Sequence, residues 1–575
     1  MKNKLEKLSK ENLQNIILKM RGFLSEEQCL KLEGMIDAFE AGGEESKEVQ
    51  AVKRMSDELV NEKLKQLEEW MSQIEEGELY LNIDAYEDYS SGYWDSDWII
   101  DYYDNQGIGD KISFAIQLAK DCVDDRRYQE ANHIYEWLWD MAVWTDEEYD
   151  GESVDLETLV EKNMVHTDMK QLALLTLYTD YQALKPEMRA ENIYLYFSFG
   201  AFRNIHIEEM FYVGRENLTG TEQFWEDWIA LLQTKNGEVA ARLLKEAVLY
   251  HEGVEGLEKM AEKNSSVHPS LYLTVLNEYE KKHDYQRIEK IGERALAKLD
   301  SNFVIRSEIA LKAAHASSCL MHTDKVMQFC WEGFCSDSTD RNLLRLFGTD
   351  EMSRQYGLRG HEVLASRLKG NSTGNIRNAE LRQNIMGDYG YYKLCFYTGD
   401  FQKVKMASKN PQSSLGWSES FIRYGIRLFL LYLYESPLPS KAARCIAGYV
   451  GFPDETDVNC VMSFESEIIE ESRKYKISIF WNYFQRWKQY FQMTPEEKKQ
   501  YFAWAEKIVY DRTDAIVKGQ YRNHYGEVAA LLAVVAEIKE NMGVAGAKQG
   551  IFAEYKRKFP RHSSFQAEMK NYFDA

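Results

Sequence analysis

The feature that most constrains the fold is a short phrase that recurs in helical surroundings: Arg127-Tyr128-Gln129-Glu130-Ala131, Asp284-Tyr285-Gln286-Arg287-Ile288 and Asp400-Phe401-Gln402-Lys403-Val404. Each copy follows an apolar-periodic stretch and opens with a polar residue, an aromatic and Gln. A small or branched apolar residue stands two positions past the Gln. This is the inter-helix turn of a tetratricopeptide-like hairpin. One hairpin cannot bury its own apolar stripe, so such units stack on their neighbours to make a core. The expectation is an all-α chain, a right-handed superhelix of tetratricopeptide-like hairpins (an α-solenoid) with an N-terminal helical cap.

A chain of 575 residues is too long for one ordinary compact core. Proline occurs only eight times, which suits long helix interiors because each interior proline costs about 3 kcal/mol. Aromatics make up 13% of the chain, as expected for large side chains wedged between stacked hairpins. A net charge of −23 argues against a protein that coats nucleic acid by electrostatics alone. The eight cysteines form no Cys-x-x-Cys pair, there is no signal-like apolar core at the N-terminus, and no apolar run approaches the ~20 residues that span a bilayer. The longest such run, Leu428 to Leu433, is flanked by Arg427 and Glu435. A cytoplasmic location with reduced thiols is expected, with no cofactor and no membrane partner.

Three helices are expected in residues 1–77, the cap, with Ser9 and a Ser25/Gln28 capping box as start signals. Between Glu75 and Asp110 there is no Lys or Arg, while eleven Asp and Glu residues alternate with Tyr86, Tyr89, Tyr93, Trp94, Trp98 and other aromatics. This segment reads either as an acidic, aromatic docking surface for a basic partner, built on Tyr86, Tyr89, Tyr93, Trp94, Asp95, Asp97 and Trp98, or as a weak divalent-cation site using Asp95 and Asp97. The third reading, a loop and helix start whose aromatics enter the core, is favoured because no calcium-loop spacing is present.

Helical hairpins then follow through residues 78–370. The first spans Lys111 to Trp144, with Thr145 and Glu148 capping the next helix. The best single repeat spans His268 to Leu299, close to the ~34-residue tetratricopeptide period. The cluster Gly370-Asn371-Ser372-Thr373-Gly374-Asn375 breaks the pattern, and residues 371–575 form a C-terminal array. Within it, Thr494-Pro495-Glu496-Glu497 combines a cap, proline at the first helical position and Glu at the third.

The C-terminal stretch Tyr521-Arg522-Asn523-His524-Tyr525-Gly526-Glu527-Val528-Ala529-Ala530-Leu531-Leu532, with Asp514 to Val517 before it and Pro560 to Glu568 after, resembles the helical region that follows the zinc finger in bacterial SWIM zinc-finger proteins. Ser91-Gly92-Tyr93 and the Tyr128 and Tyr285 hairpins look similar to that region too, so the likeness covers most of the chain after about residue 78. The finger itself needs Cys-x-Cys and Cys-x-His, and neither occurs here. The resemblance therefore implies the helical part standing alone, an adaptor in a larger assembly with no catalytic residue.

Candidate chemical sites are few. His315, Cys319 and His322 fall at i, i+4 and i+7 and offer three metal donors on one helix face, at a spacing that matches no common zinc module. His361-Glu362 begins like a metalloprotease helix, with Ala365 where the second His belongs. Gly416-Trp417-Ser418 imitates a nucleophile elbow with no strand before it, and Gly543 to Lys548 lacks the spacing of a phosphate loop. The basic run Lys556-Arg557-Lys558 with Arg561, interleaved with Tyr555 and Phe559, has the composition for phosphate contact and base stacking.

The expected function is a non-catalytic scaffold or adaptor that holds a protein or peptide partner carrying a basic segment. The alternatives are an accessory protein of nucleic-acid machinery acting through the basic run, and a metal protein or enzyme centred on His315, Cys319 and His322.

Overall fold

A computed structural model describes residues 55–88, 97–146, 153–301, 303–371, 388–409, 414–417, 420–452 and 477–573. The first two helices expected in the cap, and most of the Gly370 to Asn375 break, lie outside them. The chain is mostly helical, and it divides into two compact units, Met1–Gly220 and Thr221–Ala575.

The first unit corrects the all-α expectation. After helix α1 (Asp57–Glu75), the acidic segment forms two strands rather than a loop and helix start: β1 (Tyr80–Asp88) and β2 (Asp97–Tyr103). Helices α2 (Ile108–Asp124) and α3 (Tyr128–Asp140) follow as the expected hairpin, and then β3 (Val143–Thr145) and β4 (Ser153–Val154) complete a four-stranded sheet of order β2-β1-β3-β4. Thr145 thus pairs with Leu81 in the sheet rather than capping a helix. The sequence cause is local: the segment is dense in Tyr, Trp and Ile, which favour a pleated, half-buried surface, and contains little Ala, Leu, Lys or Arg. Leu81, Val143 and Val154 are buried. Helices α4 (Leu156–Glu161), α5 (Met169–Ala183) and α6 (Pro186–Tyr196) complete the unit.

The second unit opens with seven helices in series: α7 (Thr221–Leu232), α8 (Glu238–His251), α9 (Gly253–Lys263), α10 (Leu271–Lys281), α11 (Tyr285–Lys298), α12 (Ile305–Cys319) and α13 (Thr323–Ser336). Each packs on the next; in addition α8 touches α10 and α10 touches α12. In the best repeat, Tyr272, Val275, Leu276 and Tyr279 on α10 and Ile288, Ile291 and Ala295 on α11 are buried, as the apolar spacing requires.

The recurring phrase marks one turn geometry. Arg126, His283 and Gly399 adopt positive φ (66°, 55° and 77°), and the next residue's N–H donates to the carbonyl five residues before it, at Cys122 (2.8 Å), Tyr279 (3.0 Å) and Cys395 (3.0 Å). This is the Schellman closure of a helix end. The residue two past the Gln, Ala131, Ile288 or Val404, is buried in each copy. A further copy, not apparent from the phrase because Thr323 replaces the aromatic, stands between α12 and α13. There Met321 has φ 61°, His322 N–H donates to Ser317 O at 2.9 Å and Val326 is buried.

Helices α14 (Asp340–Arg345), α15 (Leu358–Asn371), α16 (Asp388–Tyr397), α17 (Phe401–Ala407), α18 (Ile422–Leu433), α19 (Lys441–Tyr449), α20 (Ile479–Tyr490), α21 (Pro495–Lys518), α22 (Tyr525–Asn541), α23 (Ala547–Lys558) and α24 (Ser563–Phe573) build the rest. Thr494 and Glu497 form the expected capping box at the start of α21. One apolar cluster runs from Ala313 to Phe573. Its centre is α22, which touches α18, α19, α21, α23 and α24. Every residue from Val528 to Ala536 on α22 is buried, the pattern of a helix enclosed on all sides. No described helix is long and apolar enough to cross a membrane.

Candidate functional site

The β1–β2 ribbon gathers the acidic, aromatic residues on one side. The antiparallel register sets Asn82 opposite Tyr103, Asp84 opposite Asp101 and Tyr86 opposite Ile99, and alternation puts these residues on one face. Asp84 is exposed, and Tyr86 and Tyr103 are 46% and 49% exposed. Like charges directly opposed across strands repel. The Asp84/Asp101 pair is therefore a local cost that a cation on this face relieves. The other face carries Ile83, Ile100 and Tyr102. There Lys162 Nζ lies 5.4 Å from the Tyr102 ring centroid and donates to Ile100 O at 3.5 Å. β2 is an edge strand of the sheet.

Of the residues expected to bind a partner, the structure places Tyr86 on this ribbon face and sets Asp97 and Trp98 opposite Asp88 and Glu87 in the register; Tyr89, Tyr93, Trp94 and Asp95 lie outside the described residues. Asp84, Asp101 and Tyr103 belong to the same face and were not singled out from sequence. A two-residue period through the acidic segment was the available signal.

The His315, Cys319, His322 triad does not share a helix face. Helix α12 ends at Cys319 and Met321 reverses the chain. His322 instead meets Glu289 Oε2 at 2.8 Å, while His315 Nε2 and Cys319 Sγ stand 3.9 Å apart. Glu289, nearly buried, also accepts from Ser317 (2.7 Å) and Lys325 (2.6 Å). Burial pushes its carboxyl up, and these three donors together hold it below the usual carboxylate range. The cluster ties α11 to α12 and α13. Among the described residues no group of three or more His, Cys, Asp and Glu is placed to hold a metal ion.

The basic run closes α23, with Lys556 and Arg557 exposed and Lys558 paired with Asp514 at 2.7 Å, and Arg561, also exposed, stands just past the helix. Tyr555 and Phe559, the rings needed for base stacking, are buried in the core. Other imitations have structural roles. His361 stacks on Phe491 with ring centroids 4.1 Å apart, and its burial lowers its pKa; Trp417 is buried; Gly543 and Gly546 take φ 90° and 74° between α22 and α23.

The stretch from Tyr521 to Leu532 contributes to a buried ionic cluster. Glu527 meets Arg427 at 2.8 Å, His524 at 3.0 Å and Arg512 at 3.5 Å. Both guanidiniums are almost fully buried, Arg512 also donates to the carbonyls of Ser414 and Leu415, and Trp417 lies between them, 6.0 Å from Arg427 and 5.0 Å from Arg512. Burial raises the Glu527 pKa, but the two arginines and His524 outweigh it and hold the carboxyl low. Charge at this point locks α18, α21 and α22 together.

Comparison of the sequence with models of known protein families and with curated proteins returned no match.

Proposed function

We propose that the protein is a non-catalytic helical adaptor, working in the cytoplasm, that uses the β1–β2 ribbon to hold a protein or peptide partner through a basic segment. The observation that carries this reading is the ribbon face on which Asp84 opposes Asp101 beside exposed Tyr86 and Tyr103. A Lys or Arg side chain there relieves the facing carboxylates and stacks its stem or guanidinium on the tyrosines. The position of β2 as the outer strand of the described sheet suits an extended segment that adds a strand. Support for a scaffold comes from the α7–α13 series, in which hairpins closed by a repeated turn follow one another and alternate helices touch. We read that series as tetratricopeptide-like and the chain as an α-solenoid in the manner of the SWIM-associated helical region.

The test is binding of a fluorescent Lys/Arg-rich peptide, measured by anisotropy at ~50 and ~200 mM salt. Binding that weakens with salt and is lost in the Asp84→Lys, Asp101→Lys double variant is expected. Binding that ignores both salt and the double variant would falsify the ribbon as the docking face.

A further inference from the structure

A second site stands in the other compact unit and is independent of the ribbon. It is built where α10, α11 and α12 meet. His315 and Cys319 lie one turn apart on α12, and Cys319, the last residue of that helix, is exposed. Its Sγ stands 3.9 Å from His315 Nε2. The opposite ring nitrogen, Nδ1, faces Glu280 Oε1 on α10 at 3.7 Å, and the second oxygen of that carboxylate accepts from Lys312 Nζ at 2.8 Å. Tyr285, the first residue of α11, sets its ring edge-on to the imidazole, with centroids 6.0 Å apart and an interplanar angle of 85°. The Tyr285 hydroxyl meets the Cys319 thiol; burial and then that thiol push its pKa up, so it keeps its proton and can donate to sulfur. Thiol, imidazole and carboxylate thus follow one another as nucleophile, base and orienter. The carboxylate favours a proton on Nδ1, which leaves the Nε2 lone pair turned toward the thiol.

We propose that Cys319 is a site of reversible S-thiolation, where the thiol exchanges with a low-molecular-weight disulfide, His315 is the general base and Glu280 is a positioning residue. His315 Nε2 takes the thiol proton. The sulfur lone pair attacks one sulfur of the disulfide, a new S–S bond forms, and the old one breaks with its electron pair on the departing sulfur. That thiolate takes the proton back from Nε2. Cys319 ends oxidised as a mixed disulfide, and the other half of the small molecule leaves reduced, as a free thiol. Disulfide exchange asks for a thiol, a proton acceptor and open access, and the site supplies all three. Acyl transfer asks in addition for donors aimed at an oxyanion.

The experiment treats the full chain at pH 7 with 2-hydroxyethyl disulfide, which is uncharged and so is not steered by the net charge of −23. Acid-quenched samples are mapped by peptide mass spectrometry. Cys319 in the folded chain should form the mixed disulfide ~10-fold faster than the same thiol in the chain unfolded by urea. An equal or slower folded rate overturns the site. His315→Ala should slow Cys319 by ~10-fold while the half-buried Cys445 keeps its rate, and His315→Gln should repeat the loss. Free imidazole should restore the Cys319 rate in His315→Ala and leave the unsubstituted chain unchanged. A rate that survives both substitutions, or a loss that imidazole does not restore, overturns the role of His315. Glu280→Gln should slow Cys319 by about 3-fold with Glu280→Asp recovering part of it; no effect of Glu280→Gln overturns the positioning role.

Discussion

Two buried ionisable residues give opposite stability arguments. Asp180 on α5 is fully buried, neither carboxylate oxygen has a partner among the described residues, and burial with repulsion from Glu136 pushes its pKa up to about 7. The unfolded value is about 3.9, so between these limits the folded state holds a proton that the unfolded state has lost. The contribution of Asp180 to stability is therefore fully present in acid and declines as pH rises through that window, by on the order of 4 kcal/mol in total. Asp180→Asn should flatten this slope in urea unfolding followed from pH 5 to pH 8, and should be the more stable form at the alkaline end. An unchanged slope would place the titration elsewhere. Glu527 behaves in the other sense: its depressed pKa means that its contribution is present above the unfolded value, ~4.3, and is lost as pH falls through the folded one. Glu527→Gln leaves Arg427 and Arg512 buried without a counter-charge, and a loss of about 3–5 kcal/mol in thermal or urea unfolding is expected. Charge at Arg427 was visible in the sequence as an interruption of the apolar run; that it is paired across one hundred positions with Glu527 was not, because nothing local specifies a long-range partner.

At the scale of the element, the turn is the unit on which the sequence was most informative. Three copies announce themselves by their aromatic and Gln, and the buried residue beyond the Gln follows from helical spacing. The copy at Met321 keeps the backbone geometry and changes the side chains, which shows that the closure rests on a left-handed residue rather than on the aromatic. Met321 is 88% exposed, so its side chain contributes little burial while its backbone bears strain. Met321→Gly should raise the melting temperature, with a gain of about 0.5–1 kcal/mol after allowance for the greater freedom of unfolded glycine. The contact between α11 and α12 is sensitive in another way: a methyl added at Gly292 would come within 2.5 Å of Ala313 Cβ. Gly292→Ala should cost about 1–3 kcal/mol through overpacking, measurable by denaturant unfolding, and Ala313→Gly in the same chain should recover part of it. The strands were illegible for a physical reason as well. Acidic residues interleaved with Tyr and Trp lack both a helical stripe and a clean apolar face, since the ribbon is solvated on one side and touched by Lys162 on the other.

Across the whole molecule, charge and packing divide the work. The expectation of a mostly helical chain came from periodicity and scarce proline, and it holds for both units; the sheet escaped in part because the short β3 joins β1 from more than fifty residues away, a pairing that composition does not encode. His315, Cys319 and His322 do not share a helix face for a related reason, as counting by helical steps ignores where a helix stops. In a chain with net charge −23, a basic ligand should be drawn to the first unit at long range. Association rates for a cationic peptide should accordingly fall with ionic strength while dissociation rates change little, a pattern stopped-flow fluorescence can resolve.

The enclosure of α22 reaches beyond stability. Ile551, Tyr555, Phe559, Phe565, Met569 and Phe573 form part of the wall around it, so the final two helices are masonry rather than a tail. Shortening the gene to strip the cationic end exposes a greasy rod to solvent and invites clumping. Loss of activity in any clipped product reports on collapse of the shell, and questions about those lysines are answered only by exchanging them singly in an intact polypeptide.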